Sequence, residues 1–467
     1  MSQANANGIS KWIIEEISTI NLGDERLNKR CVKLLEKLGN QPSNSIPSAC
    51  ESWSETIAAY RFFANEQVTP AKILAPHKDS TLKRIRKEKV VLLVQDTTGI
   101  DYSGRENIAG LGVLAAEYQQ GFYLHPLLAI TPQKMCLGVV NSHIWSRSEL
   151  GNKRRWKKIQ DKESYRWLKG YEVANEIAQA ATDTMIVTVG DRESDIYEIF
   201  AAGVEKESKA YWLVRSQHNR ILANDCGESQ RLKEILPNLP RVGCIEFTLE
   251  GQKNRKGRLV KQEIRVGKVK FKAPRKQGTT FANIEANVVF CRETHAPKGE
   301  KPIEWILLTN VPITDKERTL EIIQWYLCRW QIEIYFRILK SGCLVEELQL
   351  EAEDRIENCL ALYMIIAWRV LFITMMGRSH PNVSSNIIFT NAEWCAAYAV
   401  TQKKAPPKEA PPLKEIIKMV AQLGGYLNRK SDGDPGAQTI WIGIQRLRDI
   451  ALGWSAFQTI GKNKRCV

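Results

Sequence analysis

Two short apolar runs constrain the fold of this chain more than anything else in it. "VVLLV" at 90–94 and "MIVTV" at 185–189 are rich in β-branched residues, and each stops at a turn. Both read as buried strands. Each turn carries an acid at its start, Asp96 in "QDTT" and Asp191 in "GDRESD". In open α/β sheets, sites gather just beyond such strand ends. Taken singly, an Asp after a strand is an ordinary N-cap or turn residue. Two of them, after matching strands, ask for a third partner.

The rest of the chain arranges itself around these strands. Residues 11–75 read as helical, with Asp24 as N-cap of "ERLNKRCVKLLEKLG" and a capping-box spacing at Ser52 and Glu55. Leu27, Cys31, Leu34 and Leu35 form an apolar stripe, and Arg26, Lys29, Arg30 and Lys33 lie largely off it. Between the strands, 147–170 is strongly basic, with Trp156, Tyr165 and Trp167 interleaved. Residues 241–311 alternate apolar and basic positions around Gly turns, which predicts antiparallel strands inserted in the larger domain. Helices are expected over 317–376, a stiff Pro-rich connection at 403–414, and helices again to the end.

A length of 467 residues suits about two to four domains. Lys plus Arg outnumber Asp plus Glu by 67 to 52, a net charge of +15, which points to a polyanionic partner, most commonly nucleic acid. Eleven scattered Cys with no CxxC pair exclude a zinc ribbon and a disulfide framework, and fit a reducing cytoplasm. The six His form no HExxH motif, and there is no GxSxG or P-loop. No signal peptide is read at the start. The stretch "CLALYMIIAWRVLFITMM" is long enough to tempt a membrane assignment, but Arg369 near its middle favours a helix buried in protein.

The third partner is expected in "WYLCRWQIEIYFRILK", 325–340, where Glu333 is the one acid among bases and aromatics. At about 100° per residue, with Tyr326 at zero, Arg329, Glu333 and Lys340 share with it an arc of about 60°. Leu327, Ile334 and Ile338 flank the arc on one side, and Cys328, Ile332 and Leu339 on the other. A solvated face would be wider. An Arg329–Glu333 helical ion pair alone would leave Tyr326 and Lys340 unexplained. A stripe facing a charged site accounts for all four. Asp96, Asp191 and Glu333 are hard oxygen donors of the kind Mg2+ takes, one or two per ion with substrate phosphate. Two such ions suit phosphoryl chemistry.

The spacing Tyr326, Arg329, Glu333, Lys340, with "DRESD" from Asp191 and "QDTT" at Asp96, resembles the bacterial DDE cut-and-paste transposases, most closely the insertion-sequence-four family. The resemblance covers nearly the whole chain. It implies an RNase-H-like α/β core, a mixed sheet flanked by helices, with an antiparallel β insertion and helical domains at both ends. The implied boundaries are a DNA-end-binding domain at 1–75, a catalytic domain at 76–376 with the insertion at about 238–312, and a dimerisation domain at 377–467 that includes "LGGYL".

By the same resemblance, Asp96, Asp191 and Glu333 are the catalytic, metal-binding triad, holding two Mg2+ ions with Mn2+ as a substitute. Tyr326, Arg329 and Lys340 hold phosphates near the cut end. Trp305, in "IEWILLTN", stacks on a flipped base, and Arg215, in "LVRS", sits near the hairpin end. "LGDERLNKR" implicates Arg26 and Arg30, and "AAYRFFAN" implicates Arg61 beside Tyr60 and Asn65. The partners implied are double-stranded DNA, as transposon ends and target, and a second copy of the chain. No membrane is involved. Each subunit cuts the end held mainly by its partner, through nicking, hairpin formation, hairpin opening and strand transfer. Two alternatives stay open: a nuclease that cuts without joining, and an inactive DNA-binding relative.

Overall fold

The structure is a computed structural model that describes residues 10–105, 108–148, 158–223, 230–249, 257–275 and 280–463. Trp156 and part of the basic stretch around it lie outside the described residues. In chain order the helices and strands are α1 (Lys11–Ile17), α2 (Glu25–Asn40), α3 (Ile46–Cys50), α4 (Trp53–Phe63), α5 (Pro70–Ile85), β1 (Val90–Gln95), β2 (Thr98–Asp101), β3 (Gly112–Val113), β4 (Gln120–Ile130) and β5 (Cys136–Trp145). Then come α6 (Tyr165–Ala180), β6 (Met185–Gly190), α7 (Tyr197–Ala202), β7 (Tyr211–Arg215), α8 (Leu232–Ile235), β8 (Arg241–Leu249), β9 (Arg258–Phe271), β10 (Ile284–Glu293) and β11 (Glu304–Thr309). The last third is helical: α9 (Lys316–Leu327), α10 (Trp330–Arg337), α11 (Glu353–Ser379), α12 (Asn391–Gln402), α13 (Leu413–Leu423) and α14 (Ala437–Asn463).

The chain divides into two compact units. One comprises Arg86–Asp96 and Gly151–Trp330, and the other Met1–Ile85, Thr97–Leu150 and Gln331–Val467. The first is built on a sheet in the order β1-β6-β7-β11-β10-β9-β8. β1, β6 and β7 run parallel. From β7 onward the pairing is antiparallel, through β11, β10 and β9 to β8. The expected antiparallel strands of 241–311 therefore extend the parallel sheet rather than stand apart from it. β1 and β6 are buried almost throughout, as uniformly apolar strands must be. Helix α6 packs on them with Trp167 and Tyr171 fully buried, and Phe200 stacks on Trp212 at 4.5 Å.

The second unit pairs β4 with β2, β3 and β5 and packs this small antiparallel sheet among helices. Its centre is α11. Of its most apolar stretch, 83% is buried in protein. Arg369 stays within it because its guanidinium lies over Trp12 and Phe372, at 5.5 and 5.7 Å. Burial pulls its pKa down to about 10, against the opposing pull of Glu16 and Glu393. The last helices close on a core that includes Trp394, Leu413, Ile416, Ile417, Val420 and Ile440.

Capping follows the sequence in part. Asp24 accepts from Arg26 N–H at 2.7 Å and starts α2. Ser52 Oγ accepts from Glu55 N–H at 3.4 Å, but the Glu55 carboxylate turns to Arg30 and Lys33 instead of closing the box.

The continuous helix expected over 325–340 is not what forms. α9 ends at Leu327, a turn passes through Cys328 and Arg329, and α10 starts at Trp330. Arg329 N–H reaches the Tyr326 carbonyl at 3.1 Å, three residues back, so the turn is tightened there. After Arg337 the chain widens into a π turn, Ile338–Gly342. A Cβ on Gly342 would stand 3.1 Å from the Trp441 ring, so this turn is packed by α14 rather than by its own sequence.

Candidate active site

The parallel register of β1 and β6 runs from Val90↔Met185 to Val94↔Val189. Carried two residues further, it sets Asp96 level with Asp191. Each acid is the first residue after its strand, and each is partly exposed. Two close approaches hold these strand ends. A Cβ on Gly170 of α6 would fall 2.1 Å from Gln95 Oε1, and one on Gly190 would fall 2.4 Å from Ser194 Oγ. Glycine at both places lets the helix and the turn close against the strands.

The turn after β6 fixes Asp191. Its Oδ1 accepts from Glu193 N–H at 2.8 Å, and Ser194 Oγ donates to its carbonyl at 2.6 Å. Its Oδ2 has no hydrogen-bond partner among the described residues. Asp195, at the end of the same motif, is buried and differently engaged. It accepts from Arg220 at 2.5 Å and from Gln217 and His218 N–H at 2.7 and 2.8 Å. It therefore builds the loop after β7, a task the sequence reading did not assign. Glu193 pairs with Arg166 at 2.5 Å.

Arg329 is found on Asp96, with Nη1 2.9 Å from Oδ2 and both side chains mostly buried. The expected phosphate clamp and the expected metal ligand are thus brought together directly. Tyr326 is buried, with its ring 6.5 Å from Trp305. Trp305 sits in β11 opposite Cys291 of β10, and Phe247 stacks on it at 5.7 Å and 14°. Arg215 ends β7 and donates to the Glu304 carbonyl at 3.2 Å.

Glu333 lies in the first turn of α10, partly exposed. That helix is anchored by Tyr335, whose hydroxyl donates to the Met364 carbonyl at 3.0 Å. Lys340 lies in the π turn and pairs with Glu346 at 2.9 Å. At the N-terminal end, Arg26 is clasped by Asp24 at 2.9 Å, Arg30 by Glu55 at 2.7 Å, and Arg61 is exposed on α4.

Among the described residues no group of three or more His, Cys, Asp or Glu is gathered as a ready metal cage. The donor chemistry at the strand ends still fits a hard divalent ion. Mg2+ keeps several waters, and one or two carboxylates plus substrate phosphate complete its shell. Asp96 and Asp191 are such carboxylates, and Asp191 has an oxygen to spare.

Three family models match the chain. A transposase DNA-binding model covers residues 9–68, a transposase DDE domain model covers 170–369, and a transposase Tn5 dimerisation domain model covers 365–456. Asp191 and Glu333 fall within the DDE match, and Asp96 precedes it. Among solved structures, the piggyBac transposase synaptic complex with hairpin DNA is similar at 9% identity, over 95% of this chain and 81% of that one, with a TM-score of 0.35.

The chain is a DNA transposase, a nucleotidyl-transferring and DNA-cleaving enzyme whose RNase-H-like α/β core is flanked by helical regions. Along the sequence the DNA-binding match precedes the DDE match and the Tn5 dimerisation match follows it, a set of domains similar to that of Tn5-like DDE transposases.

Proposed function

We propose that this transposase binds the inverted-repeat ends of its own element, cuts them, and joins the 3′-hydroxyls to target DNA in the manner of the insertion-sequence-four family. Asp96, Asp191 and Glu333 are its catalytic carboxylates. Tyr326, Arg329, Glu333 and Lys340 form the signature of that family. The observation that most supports this reading is the pair of acids at level ends of β1 and β6.

The protein's own residues divide the work. Asp96, Asp191 and Glu333 would hold two Mg2+ ions, or Mn2+ in their place. When bound, the ions supply activation of the attacking hydroxyl and neutralisation of the leaving oxygen. Arg329 offers a planar fork that matches two phosphate oxygens once it leaves Asp96. Lys340 adds a point charge, and Tyr326 a phenol. Arg215 and Trp305 receive the backbone and a displaced base near the cut, which requires Phe247 to leave one face of the indole available. Arg26, Arg30 and Arg61 bind the end sequence within a domain at 1–75. A hairpin step and cleavage in trans within a dimer of the 377–467 domain complete the reading. The setting is the bacterial cytoplasm, alongside the chromosome.

A strand-transfer assay with labelled end DNA and Mg2+ tests this. Wild type gives joined product, and Asp96→Ala, Asp191→Ala and Glu333→Ala each abolish cleavage while still shifting end DNA. Full cleavage by any of the three sinks the site. Cleavage without joining by the wild type would identify a nuclease instead.

A further inference from the structure

We propose that Glu346 is a positioning residue for Lys340, presenting its ammonium group to the DNA phosphate; this rests on the reading of Lys340 given above. Lys340 leaves the π turn with a four-carbon stem whose rotamers a lone side chain would sample freely. Glu346 ends that freedom by pairing with the ammonium, whose Nζ lies 2.9 Å from Oε1. The ammonium has three donors. One spent on Glu346 leaves two for a phosphate, so holding and binding are compatible.

Glu346 can act this way because it is itself fixed. The oxygen that meets Lys340, Oε1, also accepts from Asp101 N–H at 3.0 Å, at the end of β2. The turn that carries it is tied to the same strand end. Tyr102 Oη donates to the Val345 carbonyl at 2.5 Å, and Arg105 Nε to the Glu346 carbonyl at 3.3 Å. Leu344, just before, is held at φ 50°, a left-handed conformation that a leucine keeps only when its surroundings enforce it. One backbone donor, a buried tyrosine, an arginine and a constrained turn converge to place one carboxylate oxygen beside Lys340.

The charge sign separates positioning from simple attraction. A carboxylate beside a phosphate site weakens DNA affinity by like-charge repulsion. Its value must therefore lie in geometry, and its removal must appear in the rate of cleavage rather than in binding.

The test is single-turnover cleavage of labelled end DNA by the full-length protein at saturating DNA, with affinity measured separately. Glu346→Ala is expected to cut on the order of tenfold slower with end affinity unchanged or tighter. Glu346→Gln, which keeps an oxygen for both Asp101 N–H and Lys340, is expected to recover most of the rate. Lys340→Ala with Glu346→Ala together should be no slower than Lys340→Ala alone, since one acts through the other. A structural role would instead make the two losses multiply, and that result overturns the proposal. So does cleavage by Glu346→Gln and Glu346→Ala at or above the wild-type rate. Glu333→Ala serves as the control. If it is dead while the Glu346 variants are normal, only this inference falls; if Glu333→Ala and Lys340→Ala both cut normally, the underlying site assignment falls.

Discussion

Arg329 and Asp96 neutralise each other at 2.9 Å, so an ion entering at Asp96 competes with a guanidinium already there. Removing the guanidinium removes the competitor. Arg329→Ala is expected to bind Mn2+ roughly several-fold more tightly without DNA, as read by spin-resonance titration, and yet to lose cleavage. Equal or weaker Mn2+ binding would argue that the pair does not guard an ion site. Asp195 poses a different residue-scale question. Its carboxylate is buried against Arg220 and two backbone amides. Asp195→Ala strands Arg220 and should cost about 3–5 kcal/mol of stability, measured by urea unfolding. A loss under about 1 kcal/mol would mean that water replaces the pair.

A third residue-scale cluster sets the response to acid. His77 Nε2 accepts from Val139 N–H at 3.0 Å, so its proton lies on Nδ1 and is donated to Glu16 at 2.6 Å. Arg84 grips the same carboxylate at 2.6 and 3.0 Å. Burial lowers the pKa of His77, against the pull of Glu16. For Glu16, burial works upward, but His77 and Arg84 outweigh it and hold the carboxyl below its ordinary value. In both cases the unfolded chain binds protons more readily, so stability rises with pH. It should begin to fall as the pH drops below 6.5, where unfolded His77 protonates, and fall further below 4.5 with Glu16. Urea midpoints across that range check this, and His77→Gln should flatten the upper part of the curve. An unchanged slope in the variant would assign the acid sensitivity elsewhere.

At the scale of elements, β1 and β6 were legible because strands buried on both sides cannot hide their composition. Asp96 and Asp191 came with them, since the register that levels them follows from two runs of similar length. The helix around Glu333 was legible only as helix. Nothing in "YLCRWQ" breaks a helix by propensity; the turn at Cys328–Arg329 is made by the fold. The π turn is likewise packed by Trp441, a residue far along the sequence. The 60° arc belongs to an unbroken helix, and it does not hold for Tyr326, Arg329, Glu333 and Lys340 once they are divided among α9, the turn, α10 and the π turn. Lys340 illustrates the point, because its partner Glu346 lies in a turn whose shape depends on β2. The pairing of Arg30 and Lys33 with Glu55 was equally hidden, because an N-capping pattern gave the acid a plausible local task. Filling the space over Trp441 tests the element directly. Gly342→Ala should cost about 1–3 kcal/mol by overpacking, read as a lower urea midpoint; no change would show that the indole can shift.

At the scale of the whole molecule, a net charge of +15 makes DNA binding an ion-exchange process. End affinity should fall steeply and linearly on a log–log plot against salt, measured by fluorescence anisotropy. A flat plot would remove the electrostatic account of the basic surface. The charge was plain in the sequence, but which bases remain free was not, since Arg26, Arg30, Arg329 and Lys340 all sit on acids.

α11 carries a consequence for how the protein is made. It packs against α2, α4, α5 and β5, which precede it, and α13 and α14, which follow. The ribosome delivers the first of these partners, then all but the earliest strand of the other unit, before α11 emerges. Until then the N-terminal helices have no central partner to close on, so the DNA-binding end of a nascent chain stays unfinished while the strands of the other unit are already complete. Once released, α11 is apolar over most of its length beyond its charged first turns, Arg369 apart, and must find its cradle before it meets a bilayer or another chain.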